Sequence, residues 1–204
     1  MYIKSGNDLD PALFPKALSK ADVKRLELVE AVIASIGKHG LAGTTFATVG
    51  KHAKMKPAHV AYYFKDRDSL IHTAAKAVVL TAQQITMGFV IKARSPREQV
   101  KAMVLGAFEH LRRKPEQRFV IILVAAEATR DEGLLAISRH ARATGFERLG
   151  QILAAEKKQD RARLVHAALT GFVIDAICRG LEGSELAAAE AEALKAIDLI
   201  LDGA

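Results

Sequence analysis

The spacing of the apolar residues is the feature that most constrains how this chain folds. Apolar residues recur three or four positions apart along nearly all of the 204 residues, which is the period of an α-helix with one buried face. No segment alternates apolar and polar residues for long enough to form a strand. Because half of the residues are apolar, a chain of this length can bury a sizeable core. The sequence therefore predicts an all-α fold.

Composition excludes several classes of protein. The longest apolar run, residues 119–126, is far shorter than the ~18 residues that suggest a membrane span. The first twenty residues contain no apolar block of the kind found in a signal peptide. A single cysteine, Cys178, excludes an internal disulfide and a cysteine-cluster metal site. We therefore expect a cytoplasmic protein with no membrane partner, no metal and no cofactor.

The first third of the chain contains a predicted arm and two helices. Residues 1–20 are predicted to form a flexible arm, and a helix begins near Asp22 and ends at the glycines that follow residue 36. Thr45 is a good N-cap for a short second helix. Thr48 stands where a capping box has Glu or Gln, so we expect only half of that motif. Gly50 inside this helix would permit another helix to cross closely.

A tight turn and a third short helix follow. Pro57 suits the first position of that helix, where its missing N–H has no cost. Val60 and Phe64, four positions apart, form its inward face, and His59 lies on the opposite, polar and aromatic face. Two short helices joined by a tight turn describe a helix-turn-helix, whose second helix enters the major groove of DNA.

The segment 45–67 is strongly basic. It contains five bases and one acid, Asp66, a net charge of +4 in a chain whose total is +7. A concentrated basic segment favours a polyanionic partner, because neutralised phosphates release their counterions. On charge alone a solvated basic face is the simpler interpretation, so the nucleic-acid hypothesis depends on the motif.

Beyond this segment the same period predicts longer helices. One is expected over about 68–91, and Ser95-Pro96 is typical of the start of the next. Residues 119–126 are apolar on every side, which predicts a fully buried helix. Further helices are predicted over roughly 132–157, 160–181 and 185–202.

The residues from Thr45 to Leu70, TFATVGKHAKMKPAHVAYYFKDRDSL, resemble the helix-turn-helix of the TetR family of bacterial transcriptional regulators. In that family the motif closes with aromatics, a Phe, a basic residue and a Leu. The resemblance implies an N-terminal three-helix DNA-binding domain, residues 21–67. It also implies a C-terminal helical bundle for ligand binding and dimerisation, residues 68–204.

Three positions depart from the family pattern. Lys54 replaces the glycine of the turn, where a left-handed residue with a side chain would cost ~1–2 kcal/mol. Ala61 replaces a phosphate-contacting tyrosine, so that contact is expected to be missing. Lys56 replaces a serine cap, which weakens the cap but adds a cation near phosphate. These changes affect DNA affinity and operator sequence more than the DNA-binding role.

By resemblance, the DNA-contacting residues lie at the start of the second helix, along the third helix and just after it. His59 stands where relatives contact base edges, and the two tyrosines stand where they contact phosphate or a thymine methyl. One tyrosine is expected to pack partly against the first helix. Arg67 is expected at a backbone phosphate, or instead beside a nearby acid. The predicted DNA-binding residues are Thr45, Lys56, Pro57, Ala58, His59, Tyr62, Tyr63, Lys65 and Arg67.

The C-terminal part is predicted to bind a small apolar or amphipathic effector between helices. Each apolar candidate has plain core as its alternative, and each polar candidate an ordinary ion pair or an exposed position. Asp175 lies in an apolar helix, so we expect it to be buried beside a partner. The predicted ligand-binding residues are Phe89, Met103, Phe108, Phe119, Glu127, Phe146, His166, Phe172 and Asp175, with His110 and Arg130 as further polar candidates.

The resemblance also implies a homodimer, in which the last two helices pair with their copies. Its two recognition helices would read half-sites ~34–36 Å apart in a palindromic double-stranded DNA operator. A small-molecule effector would release this repressor by binding one of its two states more tightly. An activator, or a regulator that needs no effector, is an alternative with the same fold.

A helical-bundle enzyme is the alternative from a different class. The sequence has no HExxH, no GxSxG, no Walker-type glycine loop and no Glu-x-x-His pair of a di-iron site. We therefore predict no catalytic residue.

Overall fold

The structure, a computed structural model, describes residues 19–203, and every regular element within them is helical, which confirms the all-α prediction. The predicted arm, residues 1–20, lies outside the described residues apart from its last two positions. Among the described helices, none is long and apolar enough to cross a membrane. The helices are α1 (Lys20–Gly43), α2 (Phe46–Ala53), α3 (Pro57–Tyr63), α4 (Arg67–Val90), α5 (Pro96–Arg113), α6 (Arg118–Glu127), α7 (Glu132–Ala154), α8 (Ala162–Cys178) and α9 (Gly183–Asp202).

The helix boundaries follow from local capping chemistry. The N-cap of α1 is Ser19, whose hydroxyl accepts the N–H of Asp22 at 3.1 Å while the Asp22 carboxylate accepts the N–H of Ser19 at 3.0 Å. At α5, the Ser95 hydroxyl accepts the N–H of Glu98 at 3.2 Å and Pro96 is the first helical residue, as predicted. Gly40, with φ +65°, interrupts α1, but the helix resumes and continues to Gly43.

The described chain divides into two compact units. The first unit comprises the described residues up to Thr81 together with Glu116–His140. Its larger hydrophobic cluster is formed by side chains of α1, α2, α3, α4 and α6, with Val32, Val49 and Val60 fully buried, and a smaller cluster joins α4 to α7. This core carries α2 and α3, the predicted helix-turn-helix.

The second unit comprises Ala82–Pro115 and the residues from Ala141 onward. In it α5 packs against α8 and α9, and α8 packs against α9. Buried apolar residues of α5 and α9 form much of its interior. Arg97, near the start of α5, bridges two carboxylates near the end of α9, at 2.7 Å from Asp198 and 2.6 Å from Asp202. These ion pairs fix the end of the last described helix to α5.

The prediction that residues 119–126 form a fully buried helix is wrong. Within α6 only Val120 is buried, and Phe119 has 45% of its surface exposed. The reason is that α6 packs against α1 through part of its circumference. A run that is apolar on every side therefore leaves apolar atoms at the surface of the single chain.

The turn between α2 and α3 depends on the backbone conformation of Lys54 and on a close backbone approach at Gly50. Lys54 adopts the left-handed conformation, with φ 54° and ψ 41°. The N–H of Met55 then donates to the carbonyl of Gly50 at 2.8 Å. A Cβ on Gly50 would lie 2.6 Å from the Met55 carbonyl oxygen. The close approach at Gly50 thus comes from the backbone of the turn itself, not from a crossing helix as the sequence suggested.

We expect Lys54→Gly to stabilise the protein. Glycine removes the ~1–2 kcal/mol cost of a left-handed residue that carries a side chain. It also raises the conformational entropy of the unfolded chain, which offsets about 0.4–1 kcal/mol of that gain. The melting temperature should rise by about 1–4 °C in differential scanning calorimetry. The control is Lys51→Gly, within α2, which should lower it because glycine is a poor helix former. A fall of similar size in both variants would contradict the strain argument.

We expect Gly50→Ala to destabilise the protein by about 1–3 kcal/mol, because its methyl group meets the turn backbone. The matched control is Gly37→Ala in α1, where no heavy atom lies within 4 Å of the added Cβ. There alanine should stabilise by about 0.5–1 kcal/mol. Urea unfolding followed by circular dichroism measures both, and equal effects at the two glycines would disprove the close approach.

Candidate nucleic-acid interface

The start of α2 is held by two threonines. The N–H of Thr48 donates to the Thr45 hydroxyl at 3.2 Å, and the N–H of Thr45 donates to the Thr48 hydroxyl at 2.8 Å. The expectation of half a capping box is therefore wrong, because a threonine hydroxyl replaces the usual Glu or Gln. Ser35 of α1 also donates to the Thr48 hydroxyl at 2.9 Å. Thr45 itself is exposed at the start of a well-anchored helix.

Helix α3 separates a buried face from an exposed one. Val60 is fully buried, and Phe64, which follows the helix, is 2% exposed. On the other side His59 is exposed and Tyr62 is 77% exposed. Pro57 and Ala58 are exposed at the helix start. The geometry therefore confirms which face of α3 is directed outward.

The aromatic rings of α3 contact each other along the exposed face. The ring of Tyr63 lies 6.2 Å from that of His59 and 5.1 Å from that of Tyr62, perpendicular to the latter. Tyr63 is partly buried against the core of the first unit, the packing expected for one of the two tyrosines. One anchored ring thus supports two exposed side chains, which can offer hydrogen bonds and aromatic edges to a ligand.

The segment 45–67, which carries this surface, has exposed lysines, and its one acid, Asp66, is engaged by a helix terminus. The Asp66 carboxylate accepts the N–H of Ser69 at 2.7 Å, in the first turn of α4. That backbone hydrogen bond holds the pKa of Asp66 below its ordinary value. The net positive charge favours a polyanion at this surface. The exposed lysines are Lys51, Lys54, Lys56 and Lys65.

Arg67 has a structural role in addition to its predicted DNA contact. Its Nε donates to the carbonyl of Thr44 at 3.0 Å and its Nη2 donates to the carbonyl of Leu41. Its Nη1 lies 3.7 Å from the carboxylate of Asp68, the neighbouring-acid alternative. Arg67 therefore ties the start of α4 to the junction of α1 and α2.

Arg25 of α1 is a residue near the interface that sequence reasoning missed. Its Nε donates to the carbonyl of Tyr63, the last residue of α3, and its Nη1 donates to the Asp22 carboxylate at 2.6 Å. Arg25 and Tyr63 are 38 positions apart. No periodicity or motif connects residues at that separation, so the sequence carried no signal of this contact.

The predicted ligand-binding residues have diverse surroundings. Of the nine residues, Phe119 and Glu127 belong to the first unit, and the other seven belong to the second. Burial falls into three classes: Met103 and Phe108 are buried in the core, Phe119, Phe146 and Asp175 are exposed, and Phe89, Glu127, His166 and Phe172 are intermediate. Of the further polar candidates, His110 is buried and Arg130 is exposed.

The expectation that Asp175 is buried is wrong. Its side chain is 57% exposed and lies 3.2 Å from Arg179, one turn further along α8. The face of α8 that carries it is directed outward in the single chain, and the carboxylate pairs with an arginine. His166, also on α8, is half-buried, and this burial, with the positive charge of Arg142, lowers its pKa.

Comparisons with known proteins agree with the helix-turn-helix and the bundle. A family model described as "Tetracyclin repressor-like, C-terminal domain" matches residues 95–203, which is more than half of the chain. The chain therefore belongs to the TetR family.

Sequence similarity to a curated relative extends over about half of the chain. The HTH-type transcriptional regulator BetI of Paraburkholderia xenovorans is 32% identical over 93 residues, which cover 45% of this chain and 48% of that protein. The match thus spans about half the length of this curated relative.

Solved structures share the fold over most of the chain. A putative transcriptional regulator from Pseudomonas aeruginosa PAO1 has a TM-score of 0.76 and 17% identity, covering 91% of each chain. A putative transcriptional regulator from Saccharomonospora viridis, solved in complex with choline, has a TM-score of 0.73 and 14% identity, covering 87% of this chain and 95% of that chain.

Proposed function

We propose that this protein is a sequence-specific DNA-binding transcriptional regulator and not an enzyme. The observation that carries the proposal is the exposed face of α3, where His59 and Tyr62 project from a buried scaffold among exposed lysines. The lysines attract the phosphate backbone and position the protein, while the side chains of α3 read base edges in the major groove. Residues 21–67 form the DNA-binding domain in this proposal.

The remaining part of the chain, residues 68–204, then binds an effector and forms the dimer. A repressor is released from its operator when a small apolar or amphipathic molecule binds more tightly to the released state. The choline complex of the Saccharomonospora viridis regulator supports an effector of this size. The predicted ligand-binding residues are the candidates to contact it.

A homodimer through α8 and α9 completes the proposal. Both helices expose apolar or small side chains: Leu164 is 55% exposed, Leu199 is 58% exposed, and Gly171 is exposed with open space beside it. Such a surface suits a close twofold helix pairing, and a twofold dimer reads a palindromic operator.

The DNA-binding proposal predicts a preference for one sequence. The wild-type protein should select a duplex from a random pool and bind it more tightly than a random duplex of equal length at moderate salt. His59→Ala should weaken binding to the selected duplex about tenfold, because it removes a base contact, and change random-duplex binding little. Fluorescence anisotropy measures both affinities.

Lys65→Ala is the matched control for a phosphate contact. It should weaken binding to both duplexes by a similar factor and reduce the slope of log affinity against log salt by about one. If the wild-type protein shows no preference between the two duplexes, the proposed function is wrong.

The dimer proposal predicts that Leu164→Glu produces a monomer with unchanged helical content. A carboxylate in an apolar interface must be desolvated, whereas on the monomer surface it remains in water. Light scattering gives the mass and circular dichroism the helicity. Ala34→Glu, at an exposed position of α1, is the control and should remain dimeric. A Leu164→Glu protein that also remains dimeric would exclude this part of α8 from the interface.

A further inference from the structure

We infer that Arg25 of α1 is a positioning residue for the DNA-reading helix α3, and that it sets the ratio between specific and random DNA binding. The inference rests on the proposed function. It assigns to Arg25 a role that does not require the guanidinium to touch DNA.

Helix α3 has weak intrinsic means of holding its orientation. It is seven residues long, its N-cap Lys56 makes no side-chain capping hydrogen bond, and its last turn contains no basic residue. A helix this short is marginal without tertiary contacts, and its terminal carbonyls have no partner within the helix. The end of α3 therefore depends on groups from other elements.

Arg25 supplies such a group from outside the helix. Its Nε donates to the carbonyl of Tyr63, the final residue of α3. A cation is favoured at this end of a helix, where the partial charge of the free carbonyls is negative. The contact thus satisfies one terminal carbonyl and fixes it relative to α1.

The guanidinium of Arg25 is itself fixed. Its Nη1 donates to Asp22 at 2.6 Å, and the Asp22 carboxylate also accepts the hydroxyl of Ser19 at 2.7 Å. The Ser19 hydroxyl first, and the Arg25 cation with it, keep the pKa of Asp22 below its ordinary value, so the carboxylate stays charged near neutral pH. The hydrogen-bonded start of α1 therefore holds the end of α3.

The fixed carbonyl belongs to the residue that supports the reading side chains. The ring of Tyr63 contacts those of His59 and Tyr62. A rotation at Tyr63 would therefore displace both exposed side chains together. Base contacts depend on such displacements, because bidentate hydrogen bonds need a defined geometry, whereas lysine–phosphate attraction tolerates them. Loss of the Arg25 contact should reduce specificity and preserve random binding.

Lys24 provides a control with the same charge in the same turn of α1. Its ammonium pairs with Glu27 at 2.6 Å on its own helix. Lys24→Ala and Arg25→Ala each remove one positive charge, so they should have equal effects on random-duplex binding. Of these two variants, only Arg25→Ala removes a hydrogen bond to α3. Arg25→Lys keeps the charge but loses the planar donor pair that reaches both a carbonyl and a carboxylate.

The experiment measures affinities of the wild type and these three variants for the selected duplex and a random duplex of equal length. All measurements are made below the melting temperature of each variant, determined by circular dichroism. Arg25→Ala should lower the ratio of the two affinities about tenfold, the order expected for losing one hydrogen bond from a charged donor. Arg25→Lys should lower this ratio by at least about threefold while its affinity for the random duplex stays at the wild-type value. Lys24→Ala should leave the ratio unchanged.

Two results would overturn the inference while leaving the proposed function intact. One is an Arg25→Lys variant whose ratio of selected-duplex to random-duplex affinity equals that of the wild type, which would show that charge alone is sufficient. The other is an equal loss of both affinities in Arg25→Ala, which would indicate a phosphate contact. If Arg25→Ala is unfolded at the assay temperature, Arg25→Lys decides between the outcomes. A wild-type protein that binds the selected and the random duplex equally well would overturn the proposed function and, with it, the inference.

Discussion

The backbone approach between Gly50 and Met55 is the constraint on which the candidate interface depends. The Met55 carbonyl occupies the space that a side chain at position 50 would need, and the chain reaches this position because Lys54 is left-handed. This geometry sets where Pro57 begins α3 and hence which residues of α3 are exposed. With the turn closed in this way, Val60 and Phe64, the apolar residues that anchor α3, lie in the core.

Around this turn, hydrogen bonds from neighbouring helices fix the ends of both short helices. Ser35 of α1 donates to Thr48 at the start of α2. Arg67 of α4 holds the carbonyls before α2, and Arg25 of α1 holds the carbonyl at the end of α3. Helices of eight and seven residues gain little from propensity alone. Tertiary polar contacts at their termini therefore complement the buried face in keeping the exposed face in one orientation.

The fold and much of the interface could be predicted because they depend on local patterns. Pro57 and Ser95-Pro96 marked helix starts, and the spacing of Val60 and Phe64 identified the inner face of α3. The mistaken predictions concern surroundings that periodicity does not encode. An apolar run at 119–126 indicates a helix but not how much of it is covered, and the apolar neighbours of Asp175 predict burial without showing which face of α8 is directed outward. The contacts of Arg25 join distant positions, which a single sequence does not connect.

The contacts of Arg67 have a kinetic consequence within the proposed interface. Two of its five N–H donors are occupied by carbonyls of the protein and a carboxylate lies 3.7 Å from its Nη1, so the guanidinium is held in place and cannot turn freely toward a phosphate. Its positive charge still contributes to the long-range field that draws a polyanion toward the surface. Such a charge acts mainly on the rate of encounter, which falls steeply with ionic strength, and little on the lifetime of the bound state.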